Sequence, residues 1–353
     1  MAAGALRRFW VWAPLLILTW LLLFAFVRGG GASTERKNLR KKPDPLPGRQ
    51  EQQEAALAAG GVGGGGAAAA AAAVQTGAKT SSSKGKSFPV SQLHESQLTH
   101  AVIVAGHAVL RINKLASAER DDSAWYLLSY QLNQGFPGII TSHIKRGIQS
   151  AVEDPRAMLL FSGGQTRRDV GPTSEAASYY YLAAEKKWLN SPAKDGGGSI
   201  ASRVFLEEHA RDSYENLLFS LCRFREVSGR YPEKVTVVGF DFKGKRFTDY
   251  HRLAIGFPKS NFTYLGLHPQ HSQFDHAKAA RGEEETLRVF RNDKYGCSAG
   301  LSGKRDIRNP FRRTVPYELA CPELKKLLYW CGPDTFDVRS LPWAAAEGEG
   351  EGA

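Results

Sequence analysis

Residues 162–168, Ser-Gly-Gly-Gln-Thr-Arg-Arg, gather two glycines, two hydroxyls and two adjacent guanidiniums in one short stretch. Paired glycines permit a sharp turn and a close backbone approach. Amide N–H groups, hydroxyls and guanidiniums together suit a phosphate or a carboxylate. The same stretch also reads as a plain exit from a strand with solvated arginines, and alone it divides evenly between the two. It lacks the Gly-Lys-Ser/Thr ending of a Walker loop and the spaced glycines of a dinucleotide fingerprint.

Other polar groups are candidates for the same chemistry. Ser162, Gly163, Gly164, Thr166 and Arg167 are the expected holders of a small anion, with Arg246 adding charge complementarity. Glu207 follows an apolar run directly, and a carboxylate so placed needs partners or a raised pKa. Glu207 is therefore a candidate acid/base group for hydrolysis or group transfer, and so is His107, a lone histidine at a strand end whose commoner role is structural. Glu215 and Asn216 are expected to position the reacting group, and Glu175 to open a helix and touch the ligand. Asp212 with Glu215 also makes a capping box, a structural reading strong in its own right. His143 and His251 sit in helical patterns and read as structural. No spacing resembles a metal site, no Gly-x-Ser-x-Gly elbow supports a serine nucleophile, and no pattern names a cofactor.

These residues fall at the ends of apolar runs. The runs 101–106, 157–164, 202–208, 233–242 and 261–267 are short and apolar, and read as buried strands. Helical patterns are expected at 121–134, 137–152, 174–189 and 212–229, with Gly229 as a stop, and after the fourth strand through His251. Strands greasy on both faces alternating with helices predict a doubly wound α/β domain with a mostly parallel five-stranded sheet, helices on both faces. Ligands of such sheets bind beyond the carboxyl ends of the strands, where Gly106-His107, residues 162–168, Glu207-Glu208 and Asp241 to Arg246 all fall.

Those motifs, in that order, resemble the domain of unknown function 218 family (SanA/YdcF/ElyC-like), in its long eukaryotic branch. The matching residues are Ser162-Gly163-Gly164, Ser174-Glu175-Ala176, Glu207, Glu215-Asn216, Phe242 and Arg246. Asp212 and Ser213 replace the family's Asn and Thr, Ala210 replaces Ser, and Lys243 stands where His is usual. The first strand ends in Ala105-Gly106-His107 rather than a glycine run. Over residues 100–270 the resemblance implies a Rossmann-like fold, frequent membrane anchoring and a link to the cell envelope in bacterial members, with no settled reaction.

Residues 9–27 carry no charge over a length that crosses a bilayer as a helix. The run exceeds a usual signal-peptide core and no small-x-small cleavage site follows, so an uncleaved single-pass anchor is expected. Arg7 and Arg8 precede it and six basic residues follow by Lys42, which favours a cytoplasmic following side. A short basic N-terminus before an anchor also fits a lumenal domain, in which the sequon Asn261-Phe262-Thr263 becomes usable, so both orientations stand. After the tail 1–8 and the span, 28–98 reads as a flexible low-complexity stalk. The expected domain covers 99–292, an extension packed on it 293–338, and an acidic tail 339–353.

Of the formal charge of +12, +7 lies in the first 50 residues and only +5 in 99–353. Aromatics are not interleaved with a basic stripe, so a nucleic-acid partner is not expected. Four cysteines are too few for a disulfide framework. Cys222 is expected in the core, and Cys297, Cys321 and Cys331 either form one bridge or stay reduced. The basic segment 295–313 reads first as a solvated loop, with folding over the site or contact with a membrane surface as alternatives. The whole reads as a membrane-anchored domain for a nucleotide-like or phosphorylated anion, a hydrolase or transferase in envelope or endomembrane metabolism. The alternative is a non-catalytic membrane-anchored interaction factor, with protein partners unknown.

Overall fold

Five strands emerge where the β-branched and aliphatic runs demanded them: β1 His100–Ala105, β2 Ala157–Ser162, β3 Val204–Glu207, β4 Lys234–Phe240 and β5 Phe262–Leu267. They form one parallel sheet in the order β3-β2-β1-β4-β5. This computed structural model describes residues 95–344, except 195, 197 and 333. The expected span at 9–27, most of the stalk and the end of the acidic tail lie outside the described residues. Among the described residues no helix is long and apolar enough to cross a membrane.

Alternation along β1 divides the core. Ala101, Ile103 and Ala105 enter one buried cluster with helix α3, Ser213–Ser228. Val102 and Val104 enter a second cluster with α1, Phe136–Glu153, and α2, Glu175–Glu185. Strand side chains point to opposite faces in turn, so a strand apolar at every position needs helices on both sides. Asp212 caps α3 by accepting the Glu215 amide, and Gly229 ends it at φ 76°. Ser174 caps α2 by accepting the Ala177 amide.

Four expectations are corrected. Residues 121–134 form no α-helix but two short 3-10 turns, Asp122–Ala124 and Ser129–Gln131. Extended backbone pairing competes there: the Arg111 amide donates to Ala124 and the Tyr126 amide to Val109. The Trp125 indole donates to the Ala118 carbonyl, and Asn133 takes φ 59°. The segment 295–313 is not a solvated loop, because it carries helix α4, Ala299–Ile307, whose Leu301 is buried. Order begins before 99 and persists past 338: Leu98, Leu341 and Trp343 are buried, and the Trp343 indole donates to the Ile255 carbonyl. Cys222 is in the core as expected but is bonded to Cys321, and Cys297 is bonded to Cys331, so two bridges form where at most one was expected.

Candidate functional site

Register brings the strand exits onto one edge. Ala105 pairs with Ser162 and Ser162 with Glu207, so the last residues of β1, β2 and β3 lie side by side. The winding direction reverses between β1 and β4, the crevice where such sheets take their ligands.

The β2–β3 corner is closed by Glu207. Its carboxylate accepts the Ser162 hydroxyl at 2.7 Å, the Tyr317 hydroxyl at 2.9 Å, and the His209 and Ala210 amides at 2.7 and 3.3 Å. Asn216 reaches from α3 to donate to the Ser162 carbonyl and hydroxyl at 3.0 and 2.9 Å. Burial pushes the Glu207 carboxyl up to about 7, against the pull of these donors. The residue is 0% exposed, so no oxygen faces an open space.

Gly163 and Gly164 leave room for protein groups. Their amides donate to the Glu207 and Ala210 carbonyls at 3.0 and 2.7 Å. A Cβ on Gly164 would stand 2.8 Å from the Ala210 carbonyl oxygen, and one on Gly106 or Gly163 would strike the Glu175 carboxylate. Glu175 accepts the Thr166 hydroxyl at 2.7 Å on one oxygen. Burial raises its pKa, opposed by Thr166 and by the charges of Arg308, Arg167 and Lys243.

The third cluster stands at the β1–β4 crevice itself. The Lys243 amine lies 3.2 Å from His107 Nδ1. The His107 and His143 rings stand 5.2 Å apart, each against Phe240. Among the described residues, neither nitrogen of His143, nor His107 Nε2, has a hydrogen-bond partner. Burial brings Lys243 down to about 7, aided by Arg246 and Arg308 and opposed by Glu283 and Glu175. Burial and Lys243 hold His143 near 3, and the same two causes hold His107 well below its usual range. Among the described residues, neither Lys243 nor Arg167 has a carboxylate at ion-pair distance. Arg167 also lines a cavity of about 460 Å³ with Arg111, Asp122, Tyr126, Asn133 and Asp169.

The remaining charges are committed to one another. Arg246, in the π-helical turn Arg246–His251, forms a two-pronged ion pair with Glu283 and donates to Ser213. Glu215 binds Arg211 at 2.5 Å and Arg305 at 3.2 Å, while Arg305 also holds Asp212 at 2.7 Å. Burial works against the Asp212 carboxylate, but Arg305 prevails and keeps its pKa low. His251 is buried and accepts or shares the Ser213 hydroxyl proton at 2.8 Å, in keeping with a structural role.

The edge thus brings together Ser162, Glu207 and Asn216 in one cluster, and His107, Thr166, Arg167 and Glu175 with Lys243 around another. Glu215 and Arg246 sit at the start of α3 and beyond β4 with their charges already matched. Sequence reasoning missed Tyr317, Arg305, Arg308 and Arg313, all from the C-terminal extension. Arg313 binds the Glu208 carbonyl and contacts His209 Nε2, and Arg308 binds the Arg211 carbonyl. The arginine density of 295–313 signalled only the three arginines.

Five parallel strands in this order, with titratable groups gathered at their carboxyl edge, define an α/β protein with a Rossmann-like sheet. The chain is 30% identical over 236 residues to the uncharacterized protein YOR238W of Saccharomyces cerevisiae, covering 54% of this chain and 77% of that protein. It belongs to the same family as that yeast protein. No family model and no solved structure matches the chain.

Proposed function

We propose that this protein, anchored in a membrane through residues 9–27, binds a small phosphorylated or nucleotide-like anion in the β1–β4 crevice and transfers a proton to or from it during hydrolysis or group transfer. One observation carries the reading: the Lys243 amine is packed against Phe240 and His107 with no carboxylate at ion-pair distance among the described residues. A cation so placed gains most from an incoming anion, which restores its charged form. Arg167 and Arg308 add positive charge, and the neutral His107 is the proton carrier at the same point. Ser162, Glu207 and Asn216 position this edge from behind, since Glu207 has no oxygen left for a substrate.

Calorimetric titration with pyrophosphate, ATP and a sugar phosphate tests the reading. At least one should bind with a Kd below ~1 mM, take up protons at pH 8, and bind at least ~10-fold more weakly to Lys243→Met. Absence of binding by all three, or equal binding by the variant, overturns it. The rival reading, a non-catalytic interaction factor, draws on Ile307 and Leu319 of the extension, exposed to 78% and 90%. It expects cellular function to fail on Leu319→Ser and to survive Lys243→Met.

A further inference from the structure

All four cysteines are paired, in two bridges that join segments far apart in the chain. Cys222 on α3 meets Cys321 across 99 residues, and Cys297 meets Cys331 across 34, with Cα separations of 5.3 and 5.7 Å. Those separations are the ones a disulfide needs without moving the backbone. Such bridges persist in oxidising compartments and are rare where glutathione keeps thiols reduced.

A second, unrelated feature points the same way. The sequence holds one Asn-x-Ser/Thr triplet, Asn261-Phe262-Thr263. Asn261 and Thr263 are both exposed, while Phe262 between them is buried. Asn261 ends the 3-10 turn Lys259–Asn261 and Thr263 is the second residue of β5, so the exposed acceptor amide and hydroxyl straddle the start of the strand. The triplet opens β5, an edge strand, at the amino end of the sheet. A glycan there stands away from the carboxyl edge that holds His107 and Lys243.

We propose that the domain faces an oxidising lumen or the cell exterior and carries an N-linked glycan on Asn261. The six basic residues after the apolar stretch argue for the opposite orientation. The paired cysteines outweigh that bias, because a reducing compartment would leave four thiols. This inference does not depend on what the crevice binds.

The test uses the full chain in a eukaryotic cell with a secretory pathway. Treatment with an N-glycan-removing amidase should shift its gel mobility by one glycan. Asn261→Gln and Thr263→Ala should lose the shift, and Thr263→Ser should keep it. A thiol-reactive polymer applied in denaturant should label nothing before reduction and four cysteines after it. A chain with no amidase-sensitive shift, or with cysteines labelled before reduction, overturns the proposal.

Discussion

Lys243 and Glu207 begin far apart in acidity and are both brought to about 7, for one physical reason: burial penalises the charged form of each. Their surroundings give them different tasks. Glu207 meets four donors and no open space, so its titration is written in stability rather than in turnover. Its folded pKa lies above its ordinary value, so the native state holds the proton more tightly than the unfolded chain between pH 4.5 and 7. The favourable contribution is therefore complete below pH 4.5 and is lost as pH rises through 7. Glu207→Gln stays neutral throughout and keeps one acceptor oxygen, so either the Ser162 or the Tyr317 hydroxyl loses its acceptor. Its stability deficit against the native protein should be largest near pH 4.5 and shrink by up to about 3 kcal/mol by pH 8. Urea unfolding at the two pH values reads this directly; a deficit that is constant or grows with pH contradicts it. Glu207 itself stood out in the sequence because a carboxylate ended an apolar run. Tyr317 could not, because nothing local marks a tyrosine 110 residues away as its partner.

Strand exits explain which elements were legible. A run such as Ala157–Ser162 buries every side chain, so its composition alone gives both its conformation and the helices that must cover it. The stretch 121–134 misleads because its apolar spacing is helical, while its backbone bonds go to residues 109 and 111 across an extended pairing. Tertiary competition of that kind leaves no trace in periodicity. Gly106, at the end of β1, shows a tighter constraint. An added Cβ would lie 2.2 Å from the Glu175 carboxylate and 2.9 Å from the Ser162 carbonyl. The second contact is with backbone at the end of β2, paired with strands on both sides, which cannot swing aside as a side chain does. Gly106→Ala should destabilise the fold by about 1–3 kcal/mol, the usual cost of overpacking. It should also push Glu175 off Thr166. Thermal unfolding would measure the first, and a stability cost under ~0.5 kcal/mol would show that the exit has slack that the packing does not suggest.

Chain connectivity sets what holds the assembled molecule together, and here the C-terminal extension closes the fold rather than trailing from it. Tyr295, Leu301, Tyr317, Leu324, Phe336 and Trp343 share one buried cluster with α3 and with β1, β2 and β4. The same segment supplies Tyr317 to Glu207 and Arg305 to Asp212. Each bridge restrains a different part of this closure. Cys222–Cys321 ties the extension to α3, and Cys297–Cys331 closes a loop within it. In the chain-entropy account, closing loops of 99 and 34 residues stabilises by about 5 and about 4 kcal/mol. The longer bridge is also fully buried, so its removal leaves a cavity as well. Cys222→Ala/Cys321→Ala should therefore lower the unfolding free energy by at least ~1 kcal/mol more than Cys297→Ala/Cys331→Ala. Urea midpoints of the two double variants, compared at one pH, decide it. An equal or reversed order would mean that the extension is held chiefly by its arginines and apolar contacts, with the bridge to α3 secondary.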